Sequence, residues 1–248
     1  MTERMRLDRA LEVRGLLPSR ARARDAILRG TVTVNGQKAS KPHQMVAPDD
    51  VVLLDDAAAS YVSRAALKLI AGLDAANISV ENRTCLDVGA STGGFTQVLL
   101  QRGARRVYAV DVGHDQLHPS LLADPRVVSL EGVNARDLDR QTIPDTVDLL
   151  VCDVSFVSVV KILAFPLALC GPEADAVVLI KPQFEVGRDN VGRGGIVTDE
   201  AAIARAVADV IAFMAEQGFA HRLSLPSPIY GGDGNRETVA VFRTHAST

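Results

Sequence analysis

A run of apolar residues that ends on a lysine is the first feature of this sequence that suggests chemistry. Residues 176–180, AVVLI, have the composition of a buried strand, and Lys181 and Pro182 follow directly. Lysine is among the residues least often fully buried, so an ammonium group at the end of such a strand needs a partner. A second apolar segment, 149–152, ends on a carboxylate, Asp153. If the two segments are neighbouring parallel strands, Lys181 and Asp153 lie at the same edge of a sheet.

Two more charged residues interrupt apolar segments and extend this pair. Lys68 lies in the helical pattern SRAALKLIAGL, and Glu237 opens the final strand-like segment ETVAVF. Either residue alone is more often a solvated surface charge, so the argument depends on all four together. Lysine and carboxylate groups gathered at one edge of a sheet are suited to proton transfer and to holding a substrate. The helix around Lys68 is expected to have Ser63 as its N-cap and to pack through Leu67, Ile70 and Ala71.

A glycine-rich turn predicts a nucleoside-containing cofactor at the same edge. The segment TCLDVGASTGGFTQVLL, residues 84–100, reads as a strand, a turn and a helix. Gly89, Gly93 and Gly94 allow the backbone to pass close to a ligand. About twenty residues further on, Asp111 ends the next strand, where a carboxylate can accept hydrogen bonds from both hydroxyls of a ribose.

The turn itself favours S-adenosylmethionine over a dinucleotide. Dinucleotide sites have the pattern GxGxxG, whereas this turn lacks the second glycine and has Asp87 ahead of the first. An acid there repels a pyrophosphate but suits the sulfonium and ammonium groups of S-adenosylmethionine. In the loop after the third strand, Asn134 and Asp137 either meet an adenine edge or merely cap the loop. The predicted cofactor-binding residues are Asp87, Gly89, Ala90, Ser91, Gly93, Gly94, Phe95, Asp111, Asn134 and Asp153.

The elements that would position these residues alternate between strands and helices, which indicates an α/β fold. Short apolar strands separated by helices predict a parallel sheet covered on both faces, as in Rossmann-like methyltransferases. A helix is expected at 95–101, and a long one at 199–217 capped by Thr198. Strands are expected at 84–87, 107–111, 127–130, 147–152, 176–180 and 238–243.

The N-terminal part of the chain has a different charge from the rest. Residues 1–41 hold ten Lys and Arg against four acids, a charge of +6, so the remainder must carry −9 to reach the total of −3. A basic segment on an acidic body indicates two parts with different partners, and a polyanion suits the first.

The same part reads as a small α+β domain that binds RNA. Two short helices are expected before residue 30, the second with Ser19 as its N-cap and Ala23, Ala26 and Ile27 as its packing residues, and Asn35-Gly36 predicts a hairpin turn. A solvated basic helix on an unrelated small domain remains the alternative interpretation. The predicted organisation is an RNA-binding domain at 1–58, a linker at 59–62 and a methyltransferase domain at 63–248.

Basic residues in both parts are candidate RNA contacts. Two of them lie in the glycine-rich loop 185–197, which either closes over substrate RNA or is only a mobile surface loop. The predicted RNA-binding residues are Arg4, Arg6, Arg20, Arg22, Arg24, Arg29, Lys41, Arg64, Arg188 and Arg193.

Composition excludes several classes of protein. The three cysteines show no CxxC pairing and the five histidines are scattered, which predicts reduced core thiols and no metal site. The N-terminus has no signal-like apolar stretch, and no apolar run is long enough to span a bilayer. We therefore expect a cytoplasmic protein.

The motifs together resemble a known family. The four charges in the chain order Lys68, Asp153, Lys181 and Glu237 are similar to the Lys-Asp-Lys-Glu signature of FtsJ-type ribose 2′-O-methyltransferases. Over most of its length the chain resembles the TlyA family, whose members are named hemolysins and are also known as rRNA 2′-O-methyltransferases acting on cytidines. The matching stretches are RLDRALEVRGLLPSRARARDAILRG, VSRAALKL, DVGASTGGFT, CDVSFVS, LIKPQFE and GNRE.

The resemblance implies an enzyme, a cofactor and roles for the four charges. It implies transfer of a methyl group from S-adenosylmethionine to the ribose 2′-hydroxyl of a cytidine in 16S and/or 23S rRNA, with ribosomal RNA in ribosomal subunits as the partner. Lys181 is expected to act as general base or hydroxyl-orienting group and Lys68 to steer the nucleotide, while Asp153 and Glu237 hold the lysines and balance their charge. Family members can carry Arg-x-Trp-Val in the linker, whereas this chain has Tyr61-Val62 and no Trp.

Three other functions are compatible with parts of the sequence. A nucleobase N-methyltransferase would share Asp153 and Phe156, but the segment DVSF lacks the two prolines of that motif. A membrane-lytic protein would match the hemolysin name, although the basic helix has few large apolar residues opposite its arginines. A non-catalytic RNA-binding chaperone would bind no S-adenosylmethionine.

Overall fold

All six segments predicted as strands form part of one seven-stranded sheet. The computed structural model describes residues 4–244, so the outermost residues of the two predicted domains, 1–3 and 245–248, lie outside the described residues. By its internal contacts the chain divides into two units, residues 1–60 and 61–248. The strands of the second unit are β6 (Thr84–Val88), β7 (Arg106–Asp111), β8 (Val127–Glu131), β9 (Val147–Cys152), β10 (Cys170–Ile180), β11 (Phe219–Pro226) and β12 (Thr238–Thr244).

The order of the strands is β11-β12-β10-β9-β6-β7-β8. The five neighbouring strands β10, β9, β6, β7 and β8 run parallel to one another. Strand β12 is antiparallel to both of its neighbours, β10 and β11. The predicted α/β, Rossmann-like class is confirmed, but the expectation of a wholly parallel sheet is wrong. The chain returns from β11 to β12 by an antiparallel connection, which needs no crossover helix.

The helices of this unit cover both faces of the sheet, which explains why its strands are apolar on both sides. In β10, Val177 and Leu179 pack into the core on one face, and Val178 and Ile180 pack into the core on the other. The helices are α3 (Ala66–Ala75), α4 (Gly94–Gln101), α5 (Pro119–Leu122), α6 (Ala164–Ala168), α7 (Pro182–Glu185) and α8 (Glu200–Glu216), with short 3₁₀ turns at Ala135–Asp137, Val159–Lys161, Arg188–Asn190 and Arg193–Gly195.

Two sequence predictions for this unit need correction. The N-cap of α8 is Asp199 and not Thr198, because the Asp199 carboxylate accepts hydrogen bonds from the amides of Ala201 and Ala202. Strand β11 was not predicted at all. Its register shifts between His221 and Leu223, and such a bulge breaks the alternation that identifies a strand.

The strand order creates a crevice at one edge of the sheet. β6 pairs with β7 on one side and with β9 on the other, so the chain changes direction across the sheet at β6. Ligands of open α/β sheets bind at the carboxyl ends of the strands at such a switch point. The turn after β6 and the loops after β9 and β10 meet there.

The first unit is a small α+β fold, as predicted. Ala23, Ala26 and Ile27 are fully buried, and the Ser19 hydroxyl accepts a hydrogen bond from the Arg22 amide as the N-cap of the second helix. Asn35 and Gly36 both have positive φ, +50° and +78°, as a tight two-residue hairpin requires. The elements are β1 (Met5–Arg6), α1 (Leu7–Val13), α2 (Arg20–Leu28), β2 (Val32–Val34), β3 (Gln37–Lys38), β4 (Met45–Val46), β5 (Val52–Leu54) and a 3₁₀ turn at Ala57–Ser60.

Candidate active site

The four charged residues singled out in the sequence lie together at the carboxyl edge of the sheet. The Lys181 Nζ is 2.7 Å from the Asp153 Oδ1, since β10 and β9 are neighbouring parallel strands. The Lys68 Nζ is 2.5 Å from the Glu237 Oε2 and 3.9 Å from the Asp153 Oδ2. Asp153 therefore lies between the two lysines, and Glu237 completes the group.

This cluster is buried and balanced in charge. Lys68, Lys181 and Glu237 are 6%, 7% and 4% exposed. Burial of unpaired charges is costly, so two cations against two carboxylates is the arrangement that such a site requires. The two shortest contacts, Lys181 to Asp153 and Lys68 to Glu237, are ion pairs without the alignment of a hydrogen bond.

Lys68 lies on the buried face of its helix, but the apolar residues of that face are not the ones that the sequence predicts. Helix α3 packs through Ala66, Leu69, Gly72 and Leu73 together with Lys68, whereas Leu67, Ile70 and Ala71 are only half-buried. The apolar pattern could not reveal this face, because one of its members is a lysine that points to carboxylates. With its ammonium held by Glu237, Lys68 has the surroundings of a charge-balancing residue more than those of a cation open to a nucleotide.

Ser63 is not the N-cap of α3, which begins at Ala66 without a side-chain cap. The Ser63 hydroxyl accepts a hydrogen bond from the Ala65 amide in the preceding turn. That turn packs against the glycine loop, where a Cβ on Gly94 would lie 2.8 Å from the Ser63 Cβ.

A fifth polar side chain, not predicted from the sequence, contacts Lys181. The Lys181 ammonium donates a hydrogen bond of 2.8 Å to the Ser155 Oγ, in the loop after β9. Lys181 is thus held at two points, by Asp153 and by Ser155. The sequence signal for Ser155 was only its position two residues after Asp153.

The glycine loop follows β6 and adopts backbone conformations that favour glycine. Gly89 has φ +83°, and a Cβ there would lie 2.9 Å from the Val154 side chain. Gly93 has φ +96°, and a Cβ there would lie 2.2 Å from the Leu121 Cδ1. The loop therefore packs against two neighbouring segments and leaves its backbone open to the crevice.

Asp111 is held in position by this loop and by the segment that follows β7. Its carboxylate accepts hydrogen bonds of 2.8 Å from the amides of Ser91 and Gly113. These bonds orient a carboxylate beside the crevice, where it can accept hydrogen bonds from ribose hydroxyls.

Asp87 lies fully buried at the end of β6. One oxygen of its carboxylate, Oδ2, accepts a hydrogen bond of 2.7 Å from the Thr96 hydroxyl, while Oδ1 has no hydrogen-bond partner among the described residues. Burial raises the pKa of Asp87 to about 7, and the neighbouring charges of Asp153 and Asp111 act in the same direction. An orphaned acceptor beneath the glycine loop fits a cofactor that carries positive charge.

Two adjoining cavities open at this edge. The larger, about 570 Å³, is lined by Gly89, Ser91, Asp111 and Asn134, among others, and has the size of small-molecule sites. The smaller, about 160 Å³, is lined by Ser63, Ala90, Gly94, Phe95 and Lys181, among others, and shares Asp153 and Ser155 with the first.

Most of the predicted cofactor residues therefore lie around one space, with a nucleoside-sized part and a part beside the charge cluster. Asn134 lines the larger cavity and also caps the following 3₁₀ turn through its Oδ1. Asp137 is exposed and lines neither cavity, which favours the alternative of loop capping for that residue.

Phe156 is an exposed aromatic residue at the rim of the larger cavity. Its side chain is 92% exposed and its φ is +69°, an unusual conformation for a bulky residue. Its ring lies 5.6 Å from the ring of Phe184, which follows Lys181 in the chain. An exposed aromatic face beside a nucleotide site is suited to stacking on a base.

In the first unit the predicted RNA-binding residues differ in their exposure and in the groups that their side chains contact. Arg6 and Arg20 are about half exposed and both contact the buried carboxylate of Asp8, at 2.8 and 3.3 Å. The pKa of Asp8 is lowered chiefly by the hydrogen bond from Arg6. Two guanidinium groups are thereby held side by side at the surface.

The other predicted RNA contacts of this unit fall into two groups. Arg4, Arg24 and Lys41 are exposed. Arg22 donates a hydrogen bond to the Ala58 carbonyl, and Arg29 is ion-paired with both Asp25 and Asp56 with only 19% of its side chain exposed. Arg29 thus stabilises the fold of the unit through its two ion pairs.

In the second unit, Arg188 and Arg193 are exposed in short 3₁₀ turns, and Arg64 is half-buried. Within residues 4–244, no group of three or more His, Cys, Asp or Glu side chains has the arrangement of a metal site. Nor does any helix in the described part of the chain have the length and apolar character needed to cross a membrane.

Two protein families match this chain. Residues 61–244 match the FtsJ-like methyltransferase family, and residues 5–52 match the S4 domain.

Individual relatives match over nearly the whole length. The chain is 45% identical over 246 residues to the 16S/23S rRNA (cytidine-2′-O)-methyltransferase TlyA of Mycobacterium tuberculosis, which covers 98% of this chain and 91% of that protein. It is 42% identical over 240 residues to Hemolysin A of Brachyspira hyodysenteriae, with 96% and 99% covered. Among solved structures, one from Streptococcus thermophilus that carries the hemolysin name superimposes with a TM-score of 0.77 at 36% identity, covering 100% of this chain and 90% of that one.

Proposed function

This chain belongs to the FtsJ-like methyltransferase family, and we propose that it methylates the ribose 2′-hydroxyl of a cytidine in ribosomal RNA. The chain is an S-adenosylmethionine-dependent rRNA 2′-O-methyltransferase, as its relatives of known activity are. The observation that carries the proposal is the balanced cluster of Lys68, Asp153, Lys181 and Glu237, because it lies directly beside a nucleoside-sized cavity.

The residues around the cavities suit S-adenosylmethionine. Asp111, oriented by two backbone amides, would hold the ribose hydroxyls, and Asn134 lies where it can meet the adenine. Asp87 supplies negative charge beneath the loop for the cationic end of the molecule. When bound, S-adenosylmethionine supplies a methyl group activated by a sulfonium.

Lys181 is the group that meets the 2′-hydroxyl in this proposal. Lysine's ordinary pKa of about 10.4 makes it a poor base at neutral pH in water, so a dry surrounding matters for this role. Asp153 and Ser155 hold the Lys181 ammonium from two sides. Lys181 would orient the hydroxyl as an ammonium, and to accept the hydroxyl proton it must first lose one of its own protons to solvent and act as a neutral amine. S-adenosylmethionine, held by the residues named above, would supply the methyl group and become S-adenosylhomocysteine.

Lys68 and Glu237 do not contact the substrate in this proposal, and they support Asp153 instead. Glu237 pairs with Lys68, and Lys68 lies close enough to Asp153 to offset its charge. Lys68 thereby shares with Lys181 the balancing of the Asp153 charge. Phe156, at the rim, stacks on the target base and so presents its ribose to Lys181.

The first unit contributes the grip on RNA. In this proposal Arg6, Arg20, Arg24 and Lys41 bind phosphates of rRNA within ribosomal subunits, and the enzyme works in the cytoplasm. The loop with Arg188 and Arg193 contacts phosphates near the target nucleotide.

The experiment that tests the function maps methylation in rRNA. Separate 30S and 50S subunits that lack the modification are incubated with the protein and labelled S-adenosylmethionine, and the rRNA is digested to nucleosides for mass spectrometry. We expect the label on the ribose of cytidine, with Lys181→Ala as the inactive control. Label on a base would instead identify a nucleobase methyltransferase, and dye release from liposomes by the pure protein would support the membrane-lytic alternative.

A further inference from the structure

We propose that Glu185 is a positioning residue that clamps the loop after β9 so that Asp153, Ser155 and Phe156 face the substrate. The inference rests on the proposed methyl transfer. Glu185 is half-buried at the end of α7, four residues after Lys181. Neither cavity is lined by it, so any effect on transfer must act through another residue.

Both oxygens of the Glu185 carboxylate accept hydrogen bonds from the far end of that loop. The Ser158 hydroxyl donates to Oε2 at 2.6 Å, and the Val159 amide donates to Oε1 at 2.9 Å. The carboxylate thereby caps the 3₁₀ turn Val159–Lys161, whose first amide would otherwise lack a partner. Burial raises the pKa of Glu185, with the hydrogen bonds from Ser158 and Val159 and the charge of Lys161 acting against that change.

The near end of the same loop is held by Lys181. Its ammonium contacts Asp153 and Ser155, and the Asp153 amide donates to the Val88 carbonyl at 3.1 Å. Lys181 and Glu185 are joined by the short helix α7, with Phe184 and Val186 amides donating to Lys181 and Pro182 carbonyls. The segment 181–185 therefore contacts the loop at two positions, Ser155 and Ser158, which are three residues apart.

Phe156 lies between these two contacts, and its conformation depends on them. Phe156 has a positive φ and is almost wholly exposed, so local propensity alone does not keep it in place. The ring of Phe184, on the clamping segment, lies against it. Misplacing reacting groups by about 1 Å can cost about a hundredfold in rate. A clamp on this loop therefore bears on transfer while the cofactor residues on β6 and β7 stay in place.

The variants Glu185→Ala and Glu185→Gln separate this role from a general loss of stability. Alanine removes both acceptors, whereas glutamine keeps both contacts: its carbonyl can accept from the Val159 amide, and its NH₂ group can donate to the Ser158 hydroxyl, which reverses the direction of that bond. We expect kcat to fall about tenfold to a hundredfold in Glu185→Ala and to be largely retained in Glu185→Gln. The loop after β9 also lines the larger cavity, so the affinity for S-adenosylmethionine, measured by calorimetry, should fall in Glu185→Ala but by less than kcat, because Asp111 keeps its own contacts. Glu216→Ala, an exposed glutamate at the end of α8, is the matched control.

A measurement that does not depend on activity tests the clamp itself. Hydrogen exchange of the Val159 amide should be at least about tenfold faster in Glu185→Ala than in the wild type, and near wild type in Glu185→Gln. Ser158→Ala should lower kcat less than Glu185→Ala, and the double variant should fall short of the sum of the two effects, since the residues act as one contact.

Specific outcomes would overturn the inference. Faster exchange at Val159 with unchanged kcat would leave Glu185 a structural cap only, and a parallel loss of kcat, cofactor affinity and Tm would show general destabilisation. If the wild type methylates no ribose in either subunit, the proposed function fails, while the exchange experiment still decides whether Glu185 holds the loop.

Discussion

At the scale of single residues, Lys181 shows how a buried strand can end on a charge. Its strand is apolar because both faces of the sheet are covered, and the lysine directly follows Ile180, the last residue of the strand. Asp153 reaches it only because β9 is the parallel neighbour of β10. The lysine is therefore stabilised by a contact between residues 28 positions apart in the chain.

Replacing Lys181 by alanine should separate chemistry from cofactor binding. We expect Lys181→Ala to lower the transfer rate at least about a hundredfold, since a positioned proton acceptor contributes about that much. Cofactor affinity should stay near wild type, because the ribose and adenine are held by Asp111 and Asn134. Transfer assays and calorimetric titration measure the two effects. Arg205→Ala, at an exposed basic residue on α8, is the control. A Lys181→Ala variant that keeps most of its activity would remove Lys181 from the proposed role.

Asp87 has the most strongly perturbed carboxyl group of the site. It is ionised in the unfolded chain above a pKa of about 3.9, whereas in the fold it keeps its proton up to about 7. The folded state then binds more protons than the unfolded state, so this group lowers the free energy of unfolding as the pH rises from about 4 to 7. The ionised form is the one that attracts a cationic ligand.

Affinity for S-adenosylmethionine should therefore depend on pH through Asp87. We expect the dissociation constant to fall as the pH rises through about 7, because the carboxylate then carries the charge that the ligand's cationic groups favour. Asp87→Asn should bind more weakly at pH 8 and lose this dependence. Calorimetric titrations between pH 6 and 8 provide the measurement, and an unchanged pH profile in Asp87→Asn would contradict the assignment.

At the scale of elements, the glycine loop is defined by packing as much as by ligand approach. Gly93 has φ +96° and no room for a Cβ, since Leu121 and Leu117 lie against it. Gly103, at φ +86°, has a similar backbone but its nearest neighbour would be 3.5 Å from a Cβ. Replacing either glycine by alanine would strain the backbone, because φ is positive at both positions. Only at Gly93 would the new Cβ also clash with neighbouring side chains.

Gly93→Ala should consequently be the more damaging of two matched substitutions. Both variants pay for a positive φ, and Gly93→Ala must also displace Leu121, for a total loss of about 1–3 kcal/mol in the free energy of unfolding. Gly93→Ala should also weaken cofactor binding, whereas Gly103→Ala should not. Urea unfolding and calorimetric titration test this, and equal losses in both variants would mean that contact with Leu121 contributes nothing.

At the scale of the whole molecule, the charge is divided between the two units. The first unit, residues 1–60, holds ten Lys and Arg against eight acids, a charge of +2, so the second unit must carry −5 to reach the total of −3. Within the first unit, Asp8 holds two arginines at the surface. A basic unit attached to an acidic one directs a polyanion to the former and leaves the charge cluster of the latter to a single ribose.

Salt dependence should report on these phosphate contacts. We expect the double variant Arg24→Gln/Lys41→Gln to weaken rRNA binding and to reduce the slope of log affinity against log salt by about 1.4–1.8, since each phosphate contact contributes about 0.7–0.9. Arg205→Gln, an exposed arginine on α8, is the control. Cofactor affinity should be the same in all three proteins, and an unaltered slope in the double variant would exclude these two residues from the RNA contacts.

The sequence by itself determined the α/β class, six of the seven strands of the main sheet, the glycine loop and the four charged residues. These features have local signals: apolar runs of strand length, glycine at a tight turn, and charges that interrupt apolar segments. The chain order of the four charges, with the motifs around them, was also enough to indicate the family.

Only the tertiary structure decided which of these residues meet and what supports them. The buried face of α3 includes Lys68, strand β11 is concealed by a bulge, and Arg29 belongs to the fold of its unit. The contacts of Lys181 with Ser155 and of Glu185 with Ser158 join residues 26 and 27 positions apart. No local pattern encodes such contacts, because they arise when two strands become neighbours and their following loops are brought to one edge of the sheet.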